Sequence, residues 1–126
     1  MKKWILFLVL YLMTGCGTVQ EGASAGYQQI GAETAMEMME DTESFVILDV
    51  REQDEYDAGH IPGAIVIPHT EIESRAEEEL TDKDQQILVY CRSGRRSKLA
   101  ADALLELGYT NIKEFGGILD WPYEVE

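Results

Sequence analysis

Short apolar runs recur along the chain and predict the strands of a buried sheet. Residues 45–50, 64–67 and 87–90 are rich in β-branched side chains and carry few polar groups, as strands covered on both faces do. A shorter run at residues 112–115 predicts a fourth strand. These four segments are the candidate core of the molecule.

Segments with helical spacing lie between these runs. Residues 32–39 combine helix formers with spaced apolar side chains, residues 52–56 suit one helical turn, and residues 71–80 suit an acidic surface helix. The clearest helix follows the third strand, where apolar residues recur at helical spacing before a glycine that favours a helix end: Leu99, Ala103, Leu104, Leu107 and then Gly108. Strands alternating with helices predict an α/β fold, with a mostly parallel sheet covered by helices on both faces.

The first fifteen residues have the layout of a secretory signal peptide. A basic start at Lys2 and Lys3 precedes the uncharged apolar run of residues 4–13, and small residues follow. Ten helical residues reach about 15 Å, about half of a hydrocarbon core, so a stable transmembrane helix is not expected. The small, polar residues 16–26 predict a flexible tether before a domain at residues 27–126.

The segment Leu12-Met13-Thr14-Gly15-Cys16 resembles the lipobox of bacterial lipoproteins. That resemblance implies that Cys16 receives a diacylglyceryl group and that cleavage falls directly before it. Two acyl chains hold a protein on a membrane, whereas one chain gives only marginal binding. We therefore expect an extracytoplasmic domain, lipid-anchored to a bacterial membrane through Cys16. The alternative is an ordinary cleaved signal that leaves Cys16 as a free thiol.

Charge and cysteine count exclude several function classes. The 126 residues include 24 acidic and 10 basic side chains, and the net charge of −14 excludes a nucleic-acid binder held by a broad basic surface. Two cysteines are too few for a disulfide-dense scaffold or a four-cysteine zinc site. The two histidines and the scattered carboxylates show no metal-ligand spacing, so no metal is expected.

A cationic cluster directly follows the third strand of this acidic chain. Four of the eight basic residues outside the signal peptide lie between positions 92 and 98, in Cys91-Arg92-Ser93-Gly94-Arg95-Arg96-Ser97-Lys98. A strand ending in Cys91, a turn containing Gly94 and a helix beginning near Ser97 would direct several backbone N–H groups at one point. Such a cradle binds an anion and stabilises a thiolate, which is the nucleophilic form of cysteine.

A simpler interpretation of the same residues also exists. Cys91 could be a small buried hydrophobic residue, and the arginines could pair with some of the many acids. However, three arginines at a helix N-terminus oppose the helix macrodipole. An anion held between them would offset that cost, which favours the reactive-cysteine interpretation.

Several motifs, in their order and spacing, resemble the single-domain form of the rhodanese family: Asp49-Val50-Arg51-Glu52, Gly59-His60-Ile61-Pro62-Gly63-Ala64, Ile67-Pro68, the Cys91 loop, and Gly116-Gly117 followed by Trp121. The resemblance covers about residues 27–126. It implies a five-stranded α/β domain whose loop cysteine carries sulfane sulfur as a persulfide. It further implies a sulfurtransferase without a cofactor, with thiosulfate or a similar small anion as donor and a thiol or cyanide as acceptor.

The resemblance also implies roles for individual residues. Cys91 is the nucleophile, and the residues that follow cradle the donor mainly through backbone N–H groups: Arg92, Ser93, Gly94, Arg95 and Arg96. Asp49 and Arg51 are expected to be a buried ion pair that holds neighbouring loops, because sulfur transfer by a preformed thiolate needs no general base. His60 lies in a turn that the family uses structurally, so we expect it to support the fold rather than to pair with Cys91.

Two other function classes remain as alternatives. A cysteine phosphatase or arsenate reductase has five residues between its cysteine and an arginine, whereas Ser97 occupies that position here. A non-catalytic module, tethered to a membrane and binding a partner or a sulfide species, is the second alternative. Replacing Cys91 with serine would abolish sulfur transfer but leave a pure binder working.

Overall fold

Five strands and four α-helices alternate along the described part of the chain, residues 26–41 and 44–126 of a computed structural model. The elements are β1 (Gln28–Gln29), α1 (Ala32–Asp41), β2 (Val46–Asp49), α2 (Gln53–Ala58), β3 (Ile65–Val66), α3 (Ile72–Glu79), β4 (Ile87–Cys91), α4 (Arg95–Glu106) and β5 (Ile112–Gly117), with single 3₁₀ turns at His69–Glu71 and Ile118–Asp120. The predicted signal peptide, Cys16 and all of the tether except Gly26 lie outside the described residues. None of the described helices is long and apolar enough to cross a membrane.

The strands form one sheet in the order β1-β5-β4-β2-β3, and every pair is parallel. This confirms the predicted five-stranded α/β fold. β4 is buried along its whole length between β2 and β5, as its uninterrupted apolar sequence predicts. An irregularity in the β4–β5 register between Val89 and Cys91 pairs Cys91 with Gly117.

Each face of the sheet is covered by a separate apolar cluster. One cluster packs α3 and α4 onto the sheet and includes Val50, Ile72, Ile87, Val89, Cys91, Ala100 and Leu104. The other packs α1 against the opposite face and includes Ala35, Ile47, Leu88, Tyr90, Phe115 and Trp121. Because side chains alternate along a strand, neighbouring residues of β4 belong to different clusters, and Cys91 faces α4.

The two ends of α4 are set by glycines. At its N-terminus the helix begins at Arg95 rather than near Ser97, so the predicted start was wrong by two residues. Gly94 occupies the capping position with φ +107°, a conformation that favours glycine, and it completes the turn within three residues of Cys91. At the C-terminus the Gly108 and Tyr109 N–H groups donate to the carbonyls of Leu105 and Leu104, which confirms the predicted helix end at Gly108.

β1 was not predicted from the sequence. It consists of Gln28 and Gln29, which are exposed and show no apolar pattern. The strand is held by parallel pairing with Lys113 and Glu114 of β5. Main-chain pairing rather than side-chain burial therefore defines this element.

Candidate active site

Cys91 is the last residue of β4 and lies at the carboxyl edge of the parallel sheet, where α/β proteins commonly bind ligands. The residue is buried, with 1% exposure, and its thiol is free. The Gly94 N–H donates to the Cys91 sulfur at 3.0 Å. The turn that follows β4 therefore folds back so that its main chain donates a hydrogen bond to the Cys91 side chain.

Burial and hydrogen bonding act in opposite directions on this thiol. Burial raises the pKa of Cys91, but hydrogen bonds from the Ser97 hydroxyl and from the N–H groups of Ser97, Gly94 and Ser93 lower it by more. The net result is a lowered pKa, so a larger share of Cys91 is thiolate at neutral pH than of an ordinary cysteine. The first turn of α4 adds the positive end of a helix dipole at the same place.

The arginines of the loop have different surroundings. Arg96 forms two hydrogen bonds to the Glu55 carboxylate, at 2.8 and 3.0 Å, and so links α4 to α2. The Arg96 guanidinium lowers the pKa of Glu55 to about 2. Arg92 and Arg95 are exposed beside the mouth of the loop. The pairing of Arg96 reduces the cost of placing it at a helix N-terminus, whereas Arg92 and Arg95 remain available to a dianion.

Two buried polar residues beside the loop, Ser97 and Glu114, were not among the site residues predicted from the sequence. Ser97 has no exposed surface, and its Oγ lies 3.5 Å from the Cys91 sulfur. The same hydroxyl bonds to Oε2 of Glu114, a β5 carboxylate with 1% exposure. Alternation along β5 could have predicted that Glu114 faces inward, because residues two positions apart on a strand share a face and Ile112 is apolar.

Asp49 and Arg51 lie together at the end of β2, as their assignment to structural support requires. The Arg51 side chain donates to both Asp49 carboxylate oxygens, at 2.6 to 3.1 Å, and to the Gly59 carbonyl at 2.7 Å. The Tyr90 hydroxyl donates to Asp49 at 2.6 Å and accepts from the Ile61 N–H at 3.1 Å. Burial and the Asp49 hydrogen bond raise the pKa of Tyr90, which keeps the hydroxyl protonated as a donor. The network connects β2, β4 and the turn at residues 59–61.

His60 contacts residues of this turn rather than Cys91. Its ring stacks on Tyr56, with centroids 3.8 Å apart, and Nδ1 lies 2.9 Å from the Tyr56 carbonyl oxygen. Nε2 lies 3.4 Å from a Glu126 carboxylate oxygen. The structure therefore does not bring the imidazole and the thiol together.

A cavity of about 680 Å³ lies apart from this loop. Its lining is mainly apolar and includes Met36, Met39, Phe45, Ile65 and Trp121, but no residue of the Cys91 loop. Among the described residues, no group of three or more His, Cys, Asp or Glu side chains is placed to hold a metal ion. The geometry around Cys91 can hold a small anion against N–H groups and present a thiolate to it.

Comparison with known proteins identifies the class to which this fold and loop belong. A model of the rhodanese-like domain family matches residues 31–123. The chain belongs to the rhodanese-like domain family. The predicted family membership is thereby confirmed for residues 31–123.

The relatives of this chain include named sulfurtransferases. The thiosulfate sulfurtransferase PspE of Escherichia coli is 40% identical over 73 residues, which make up 58% of this chain and 70% of that protein. YrkF of Bacillus subtilis, a sulfur carrier candidate by its name, is 38% identical over 117 residues, 92% of this chain and 62% of that protein. The chain thus spans less than two thirds of the length of YrkF.

Solved structures show the same fold. A rhodanese of E. coli, solved with anions, superposes with a TM-score of 0.61 at 35% identity over 65% of this chain and 96% of that chain. The rhodanese-like domain of an Anabaena protein gives a TM-score of 0.72 at 30% identity over 78% of this chain and 77% of that chain.

Proposed function

We propose that the domain is a sulfurtransferase that moves sulfane sulfur from thiosulfate, or a similar small anionic donor, through a Cys91 persulfide to a thiol or cyanide. The observation that carries this proposal is the Gly94 N–H aimed at the Cys91 sulfur from 3.0 Å at the start of α4. The donor of the PspE reaction, as its name states, belongs to the same chemical class.

The loop favours negative charge on sulfur at each stage of this reaction. The Cys91 thiolate attacks the outer sulfur of thiosulfate, the bond between the two thiosulfate sulfurs breaks, and sulfite leaves with the bonding electron pair. The outer sulfur stays on Cys91 as a persulfide anion. An acceptor thiolate or cyanide then attacks this sulfur and restores the Cys91 thiolate. Because anionic sulfur is present before and after each step, one fixed set of N–H donors serves both half-reactions.

Exposed arginines give the site its preference for a dianion. Arg92 and Arg95 flank the loop, whereas Arg96 is engaged with Glu55. A planar guanidinium group can donate two parallel hydrogen bonds to two oxygens of one oxyanion. In a chain of net charge −14, this local positive field directs an anionic donor to Cys91 rather than to the acidic surface.

The proposal is tested by Cys91→Ser in the full chain, with Cys16→Ser as the matched control. Both variants replace a thiol by a hydroxyl, but only the first removes the nucleophile. We expect Cys91→Ser to release no thiocyanate from thiosulfate and cyanide, and Cys16→Ser to retain the wild-type rate. Full activity of Cys91→Ser would overturn the mechanism. Inactivity of all three proteins toward thiosulfate and other sulfane donors would favour the binding module.

We also propose that the domain works outside the cytoplasm, anchored to a bacterial membrane through lipid on Cys16. The basic start, the ten-residue apolar run and the segment Leu12-Met13-Thr14-Gly15-Cys16 support this location. Radiolabelled palmitate should enter the wild-type protein in bacteria, and Cys16→Ser should lose both the label and sedimentation with membranes. Equal labelling of both proteins would contradict the anchor.

A further inference from the structure

The Ser97 hydroxyl has one proton and four neighbouring acceptors. Its Oγ lies 3.5 Å from the Cys91 sulfur, 3.1 Å from the Gly94 carbonyl oxygen and 3.4 Å from the Gly116 carbonyl oxygen. The fourth acceptor is Oε2 of Glu114, which makes the shortest of these contacts. A hydroxyl donates only one proton, so Ser97 cannot donate to Cys91 while it donates to Glu114 or to either carbonyl.

Glu114 is a buried ionisable group that the proposed sulfur-transfer steps do not use. Its Oε2 also accepts from the Gly116 N–H at 3.0 Å, and its Oε1 lies 3.6 Å from the Lys98 ammonium. A carboxylate with 1% exposure is costly unless such partners compensate it. These contacts place a second negative charge one hydroxyl away from the nucleophile.

We propose that Glu114 restrains the ionisation of Cys91 by competing with the thiolate for the Ser97 hydroxyl. In one state the Cys91 thiol donates to Ser97, and Ser97 donates to Glu114. In the other state the Ser97 hydroxyl turns away from Glu114 and donates to the Cys91 thiolate. The inference rests on the proposed function only for its purpose, which is to set how much of the nucleophile is available to a donor.

The two states differ by one proton on Cys91. The Cys91 thiol loses its proton to the solvent, and the thiolate that remains accepts from the Ser97 hydroxyl in place of Glu114. Glu114 keeps its Gly116 N–H donor in both states, so it loses one hydrogen bond when the thiolate forms. The loss of that bond opposes the ionisation of Cys91.

Few other charges face this pair. α4 contributes Lys98, whose ammonium lies 3.6 Å from Glu114 and donates to the Gly94 carbonyl at 3.1 Å, and Arg96, whose guanidinium interacts electrostatically with Cys91. β4 contributes Cys91 itself, and β1 places the uncharged Gln29 beside Glu114. The residues of α3 in the same core cluster, Ile72 and Ala76, are apolar. Lys98 beside Glu114 and Arg96 near Cys91 are thus fixed positive charges that act on this pair, and the test changes neither of them.

The test is a pH titration of the thiolate ultraviolet absorbance in the full chain with Cys16→Ser, using Cys16→Ser/Cys91→Ser as the blank. Glu114→Gln removes the competing anion and frees the Ser97 hydroxyl for the thiolate, so its midpoint should fall by about one pH unit. Ser97→Ala removes the donor but keeps the carboxylate, so its midpoint should rise by about one pH unit. Glu106→Gln, on the exposed surface of α4, is the control and should match the parent.

Opposite shifts in Glu114→Gln and Ser97→Ala support the proposal, because a general loss of packing would not separate the two signs. Equal midpoints, shifts of the same sign, or a shift in only one of the two variants would overturn it. The titration needs no sulfur donor, so its outcome does not depend on whether the domain transfers sulfur.

Discussion

Gly117 lies directly against the main chain of Arg92. A Cβ atom built on Gly117 would overlap the Arg92 carbonyl group and lie 2.6 Å from the Ser93 nitrogen. The Arg92 carbonyl also accepts a hydrogen bond from the Leu119 N–H at 3.2 Å. The end of β5 therefore serves as the surface against which the start of the Cys91 loop is fixed.

The first prediction concerns this contact. Gly117→Ala should force the main chain at Arg92 and Ser93 away from β5 and misdirect the N–H groups that face Cys91. A displacement of about 1 Å in such a cradle lowers the rate of sulfur transfer by about 100-fold. Steady-state thiocyanate formation measures the effect, and circular dichroism checks that the fold is retained.

Gly31→Ala is the matched control for that substitution. A Cβ at Gly31 would meet no atom within 4 Å, so this variant should transfer sulfur at the wild-type rate. A Gly117→Ala protein as active as Gly31→Ala would show that the contact does not position the loop.

The second prediction concerns the buried ion pair at the end of β2. Asp49→Asn leaves the Arg51 guanidinium without its counter-charge at a position that is only 5% exposed. The free energy of unfolding in urea should fall by about 3–5 kcal/mol, while the folded fraction still loads Cys91 with sulfur. The exposed Asp102→Asn variant loses the same charge and should change stability little. Equal stability of the two variants would contradict the structural role.

The third prediction is a pH dependence that arises from Glu55. The pKa of this carboxyl falls from 4.5 to about 2 in the folded protein because Arg96 binds the charged form. Its contribution to stability is therefore complete above about pH 4.5 and is lost as the pH falls toward 2. Glu55→Gln should lower the free energy of unfolding by on the order of 1 kcal/mol at pH 7, and the difference should shrink below pH 4.5. A difference that is constant down to pH 3 would contradict the pairing.

The fourth prediction separates the loop arginines. Arg92→Ala/Arg95→Ala should raise the KM for thiosulfate by about tenfold with little change in kcat, because the exposed guanidinium groups hold the donor but do not touch the Cys91 sulfur. High salt should reduce the difference from the wild type. An unchanged KM at low salt would show that backbone N–H groups alone select the donor.

The buried elements could be predicted from the sequence because they consist mainly of apolar residues. β2 and β4 are continuous apolar runs, and the α4 spacing of Leu104 with its neighbours predicted the helix that covers them. Cys91 stood out because it joins an apolar strand to a basic, glycine-containing turn. The position of Cys91 at the carboxyl end of a central strand could therefore be predicted before the fold was known.

Other features depend on how the main chain turns and on which strands pair, and the local sequence does not show these. β1 exists because Gln28 and Gln29 pair with β5, and α4 begins at Arg95 because Gly94 turns the chain early. Alternation along β5 places Glu114 on the same face as Ile112, but only the pairing of β5 between β1 and β4 shows that this face is buried beneath α4. The pairing of β4 with β5 brings Glu114 to the Ser97 hydroxyl, which the turn at Gly94 places beside the thiol.

The most direct test of the central claim is the intact mass of the Cys16→Ser protein, in which Cys91 is the remaining cysteine, before and after mixing with thiosulfate. The persulfide mechanism predicts a gain of one sulfur atom at Cys91 and its loss, as thiocyanate, when cyanide is added. A folded protein with reduced Cys91 that gains no sulfur from thiosulfate or any other sulfane donor would contradict it.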